Sequence, residues 1–151
     1  MLRQYGVAGM RWYWPKLETL EDAEKAAHEG AAVCFVIAAF MALVATVSLW
    51  RDKPVLGIDA WGFADAIIFA TAGWRLWRLS RIWAVLALAI YVLGKVYALE
   101  ATSGPVPPAG AFISVAFTLV LIAGVRGTFA YHALKKKEAA AAPVATASAN
   151  R

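Results

Sequence analysis

Long uncharged apolar runs alternate with short polar breaks along most of this chain. The first run, Ala31 to Trp50 (AAVCFVIAAFMALVATVSLW), carries no charge. As a helix it would extend about 30 Å, the thickness of a bilayer's hydrocarbon core. The second, Val55 to Trp74, contains Asp59 and Asp65, and the third, Ile82 to Leu99, is interrupted only by Lys95. The fourth begins at Gly110, is uncharged to Val125, and continues through Arg126 toward Leu134. The breaks suit this division. Arg51-Asp52-Lys53-Pro54 closes the first run, and ATSGPVPPAG (101–110), with three prolines and two glycines, reads as a loop. Arg75 to Arg81 leaves room only for a tight hairpin between runs two and three, with Ser80 as the expected N-cap of the third helix. The pattern predicts an all-α membrane protein of four antiparallel transmembrane helices, at about 31–50, 55–74, 82–99 and 110–134.

Residues 1–30 precede the first run and hold no apolar stretch of secretory-signal length, so the run from Ala31 is expected to act as a retained anchor. Within them, Lys16 to Glu29 (KLETLEDAEKAAHE) predicts a short acidic helix with Thr19 as N-cap. Leu17, Leu20, Ala23 and Ala27 share one side of that helix, and Glu18, Glu21, Asp22 and Lys25 the other. Anionic lipid would repel such a segment, so docking on the basic turn at 75–81 is the expectation. Residues 135–151 begin with three lysines and run into EAAAAPVATASANR, an Ala-rich tail expected to be disordered.

Composition sharpens the membrane assignment. The 151 residues are 62% hydrophobic and 17% charged, whereas soluble domains are about 45–50% apolar and about 25% charged. A net charge of +5 would suit nucleic acid, but the basic residues sit at the ends of the apolar runs, where they set orientation instead. With the N-terminus inside, twelve Lys and Arg fall on the cytoplasmic side (Arg3, Arg11, Lys16, Lys25, Arg75, Arg78, Arg81, Arg126, Lys135, Lys136, Lys137, Arg151) and three outside (Arg51, Lys53, Lys95). That bias predicts N-in, C-in; the expected location is a bacterial inner membrane. Trp12, Tyr13, Trp14, Trp74, Trp77, Trp83 and Tyr131 then lie near the inner face, and Trp50, Trp61 and Tyr97 near the outer. Cys34, the sole cysteine, cannot form an intrachain disulfide, and no Cys/His cluster has metal-ligand spacing.

Few residues are placed to carry chemistry. Asp65 falls inside the second run, where an ionisable group costs about 2.5–3.5 kcal/mol and usually seeks a partner. Lys95, at similar depth on the next helix, is the natural one. The pair reads either as a proton or cation site or as a buried structural ion pair. Arg75, Arg78 and Arg81 (RLWRLSRIW) recur every third residue, as on a voltage-sensing helix. They stand between two runs rather than within one, so they read as a cytoplasmic anchoring turn that could also bind anionic headgroups. Arg126, Tyr131 and His132 end the fourth helix at the inner interface; no nucleophile or carboxylate accompanies them. Ala123 and Gly127, with Gly124 beside them, permit close helix approach.

GIDA at 57–60, Ser80-Arg81 and GVRGTFAYH at 124–132 give Gly57 to His132 a resemblance to small uncharacterised bacterial four-helix membrane proteins. The resemblance implies the fold and no activity. Glutathione-linked four-helix membrane enzymes share the length and helix count, but their Glu, Asn and Arg pattern within the spans is missing. Three functions stand open from the sequence. The first is a non-catalytic accessory subunit that forms homo- or hetero-oligomers among membrane lipids, with no cofactor and no nucleic acid. The second is an oligomeric ion or proton channel or transporter using Asp65. The third is an enzyme acting on a lipid-like substrate through Arg126, Tyr131 and His132.

Overall fold

A computed structural model describes residues 16–55, 58, 60–101 and 108–149. The chain is all-helical, with four helices: α1 (Leu20–Arg51), α2 (Gly62–Trp77), α3 (Arg81–Ala101) and α4 (Pro108–Ala149). Helix α1 packs along α2 and α4, and α3 touches the same two more lightly. The aromatic trio at 12–14, Asp59 and the Pro-rich segment 102–107 lie outside the described residues.

Helix α1 begins as its sequence predicts. The Thr19 hydroxyl accepts from the Asp22 N–H at 3.1 Å, and the Asp22 carboxylate accepts in return from the Thr19 N–H at 3.3 Å. This reciprocal capping satisfies two of the amide donors that a helix start leaves unpaired. The expectation of a separate acidic helix ahead of the first span is corrected: one unbroken helix runs from Leu20 to Arg51. Gly30 interrupts nothing, because small residues recur on one face at helical spacing. Ala23, Ala27, Gly30, Cys34, Ala38, Ala45 and Ser48 are all buried there. At Asp52 the backbone turns left-handed (φ 49°), a conformation Asp tolerates, and α1 ends.

Two further boundaries differ from expectation. Helix α2 starts at Gly62 rather than Val55. Its 16 residues make about 24 Å, short of a hydrocarbon core. Residues 55 and 58 instead bond each other, Val55 N to Ile58 O at 3.1 Å and Ile58 N to Val55 O at 2.9 Å. The buried Ser48 hydroxyl secures this turn, donating to Ile58 O at 2.6 Å and accepting from Val55 N at 2.9 Å. Helix α4, expected to fray into a disordered tail after Lys137, remains helical to Ala149. Alanine is the best helix former, and the run 139–142 supplies four.

The interior consists largely of small side chains. Ala23, Ala26, Ala27, Ala31, Cys34, Ala72, Ala84, Ala87 and Ala123 are nearly or wholly buried, with Phe69, Leu76, Tyr91 and Leu121 among the larger groups. A methyl group on Gly73 would meet Cys34 Cβ at 3.1 Å and the Ala31 carbonyl at 3.2 Å, so α2 lies against α1 at this point. Large apolar residues point outward instead: Trp50 is 88% exposed, Ile82 79%, Phe112 75% and Leu43 64%. Large exposed apolar surface of this kind is a feature of lipid-facing and interaction surfaces. Helices α1 and α4 are long and apolar enough to cross a membrane, with mean hydropathy of 2.6 and 1.9 over their most apolar stretches.

The hydroxyls follow the same logic. Thr46, Thr71, Thr118 and Thr128 each donate to a carbonyl three or four residues back on their own helix, at 2.7–2.8 Å. A threonine satisfied this way needs no water.

Candidate functional site

The polar chemistry of the helices gathers at the end of the molecule that carries the α2–α3 turn. Helix α2 stops at Trp77, Arg78 caps it, and Leu79 turns left-handed (φ 60°) before α3 starts at Arg81, directly after Ser80. A β-carbon-bearing residue in that conformation costs of the order of 1–3 kcal/mol and persists only where its surroundings hold it. Here they do. Leu79 N donates to Leu76 O at 2.8 Å and Ser80 N to Arg75 O at 3.1 Å.

Both histidines of the chain close on this turn from opposite neighbours. His28 of α1 stacks on the Trp77 indole, with centroids 4.3 Å apart and planes 14° apart, and its Nε2–H donates to Trp77 O at 3.3 Å. Its Nε2 also lies 4.0 Å from the Glu24 carboxylate one turn earlier. His132 of α4 donates from Nε2 to Leu79 O at 3.0 Å, while its ring meets Tyr131 edge-on at 5.8 Å. The carbonyls at a helix C-terminus lack intrahelical donors and carry partial negative charge, which suits imidazole N–H groups. The acidic start of α1 thus contacts the 75–81 turn through His28, while its Ala23–Ala27 face lies on α4.

The three arginines of the turn are exposed and rest on aromatic rings. Arg75 lies 6.0 Å from the Trp74 centroid and 5.9 Å from that of Trp83, and Arg78 lies 5.1 Å from Trp74. Arg81 sits 5.4 Å from Phe129, and on α4 Lys135 sits 5.9 Å from Tyr131. Among the described residues the ion pairs are Lys16–Glu18 and His28–Glu24, so no carboxylate engages these arginines. Arg126, half-buried, lies one to two turns before His132 on the same helix. The sequence singled out the arginines, Tyr131 and His132; it missed His28, Trp74 and Trp83 as their companions. The available signal was that both histidines flank helix stretches rich in Ala and Gly, where neighbouring helices come close.

Asp65 and Lys95 are not brought together. Because α2 begins at Gly62, Asp65 falls in its first turn, where the helix dipole favours a carboxylate. The buried stripe of α2 is Gly62, Ala66, Phe69, Gly73 and Leu76, and Asp65 lies outside it, exposed. Lys95 is exposed as well, its ammonium 5.4 Å from the Tyr91 ring. The anticipated buried pair therefore gives way to two outward groups. Among the described residues no cluster of His, Cys, Asp and Glu has the makings of a metal site. No protein-family model matches the chain, and no curated protein or solved structure matches it.

Proposed function

We propose that this chain is an integral membrane protein with four transmembrane helices and both termini on the cytoplasmic side of a bacterial inner membrane, serving as a non-catalytic subunit that assembles with other membrane proteins or with itself. The observation that carries the functional part is the outward placement of Asp65. Between α1 and α4 the interior is too close-packed to hold a pathway, and the one acid within the apolar runs of the described residues turns away from it. Whatever Asp65 recognises lies outside the chain. The outward Trp, Ile and Leu side chains supply the remaining contact surface, and the threonines that bond their own helices suit a medium without water.

The four-span reading is supported by the charge bias and by the secured 55–58 turn. Non-helical backbone at membrane depth is tolerated only where protein satisfies it, as Ser48 does here. That turn would complete the crossing begun by the short α2. The enzyme reading loses ground because His132 is engaged with a backbone carbonyl.

The test is extraction of the protein from its native membrane in mild detergent, followed by measurement of particle mass and composition for the wild type and Asp65→Asn. A stoichiometric assembly that Asp65→Asn weakens is the expected result. A monomer in both cases overturns the reading. The same outward Asp65 also favours a second reading, a channel formed by several copies with Asp65 at their shared interface. Cation- or proton-dependent flux in liposomes that Asp65→Asn abolishes would select it.

A further inference from the structure

Two guanidinium groups lie beside one indole with no acid on them, a donor set of the kind that binds an oxyanion. Arg75 and Arg78 both lie against Trp74, and Arg75 also lies against Trp83, so the pair straddles the junction of α2 and α3. An aromatic face fixes the guanidinium plane and leaves its N–H edges free, the arrangement that grips phosphate through two parallel hydrogen bonds. Both arginines are exposed, and neither has an ion-pair partner among the described residues. Next to them the α2–α3 seam is lightly packed. Both helices carry exposed apolar side chains, among them Ile67 at 67% exposure on α2 and Leu86 at 41% on α3. A free phosphate would use the arginines alone. A lipid would use the arginines, the seam and the amphipathic indoles at once.

We propose that Arg75, Arg78, Trp74 and Trp83 form a binding site for one anionic phospholipid, with its phosphate on the two guanidiniums and an acyl chain along Ile67 and Leu86. The site rests on the four-span reading, in which this turn faces the leaflet where anionic lipid attracts basic groups. Arg81 stands apart on Phe129 of α4 and does not belong to it.

The experiment is native mass spectrometry of the delipidated protein in detergent, titrated with phosphatidylglycerol, phosphatidylcholine or inorganic phosphate. One phosphatidylglycerol is retained per chain in preference to phosphatidylcholine, and excess inorganic phosphate does not displace it. The Arg75→Gln/Arg78→Gln double variant loses retention by about tenfold or more, while Arg81→Gln changes it by less than about threefold. Arg75→Lys/Arg78→Lys, which keeps the charge and loses the fork, falls between and guards against misfolding of the glutamine variant. Equal retention of the two lipids, retention unchanged in the double variant, or displacement by phosphate overturns the proposal. Because retention is read on the isolated chain, the result is independent of whether the protein assembles with others.

Discussion

Gly30 of α1 and Gly124 of α4 face each other so closely that a methyl group on Gly30 would lie 2.9 Å from the Gly124 Cα. Three residues further along α4, a methyl group on Gly127 would meet the Ala23 carbonyl at 2.7 Å and the Ala27 N–H nitrogen at 2.8 Å. Both obstacles are backbone and cannot rotate away. Gly127→Ala should therefore force α1 and α4 apart and destabilise the protein by about 1–3 kcal/mol, as overpacking does. At Gly94 the same added carbon meets nothing within 4 Å, so Gly94→Ala should be neutral or stabilise α3 by up to about 1 kcal/mol. Thermal unfolding of the two variants in detergent measures the contrast.

His28 joins the start of α1 to the end of α2 through a stacked ring and a hydrogen bond. His28→Ala removes both and should cost about 1–2 kcal/mol. His28→Phe retains the stack alone and should recover part of that loss. Unfolding midpoints of the three proteins, compared in one detergent, check the order.

Ser48 is buried and serves two backbone groups of the 55–58 turn. Ser48→Ala removes both hydroxyl bonds and leaves Val55 and Ile58 only the bonds they make to each other, at a cost of about 1–2 kcal/mol. Ser48→Thr retains the hydroxyl. Hydrogen exchange at Val55 and Ile58 should rise in the alanine variant ahead of exchange in α1.

Asp65 and Lys95 each face outward and do not pair. A double-mutant cycle with Asp65→Asn and Lys95→Met should therefore give a coupling within about 0.5 kcal/mol of zero for the isolated chain. Asp65→Asn alone should cost no more than about 1 kcal/mol, the contribution of a carboxylate to a helix N-terminus. Coupling of several kcal/mol in the unfolding measurement would restore the buried ion pair.

How far the sequence reached differs from element to element. Apolar run length located all four helices, and Thr19 marked the first helix start correctly, because both signals are local. It did not show that α1 continues through Gly30. Glycine weakens a helix in isolation, yet here its missing side chain lets α4 approach, and that gain depends on a residue 94 positions away. The late start of α2 was hidden for a related reason. Val55 and Ile58 are apolar enough to extend the run, but Ser48 captures their backbone from another helix. At the candidate site the arginines were legible from their spacing. Their seats on Trp74, Trp83 and Phe129, and the engagement of His28 and His132 with one turn, are contacts between helices that no local pattern encodes.

Single-cysteine labelling tests the proposed four-span path most directly. Cys34, wholly buried, is replaced by alanine, and one cysteine at a time is introduced at positions 16, 53, 80 and 136 in the native membrane. Labelling of position 53 only by an impermeant reagent added outside, with 16, 80 and 136 reached only from the cytoplasmic side, is the result predicted for four spans. Labelling of 53 and 80 from the same side would contradict it, leaving only the crossings of α1 and α4.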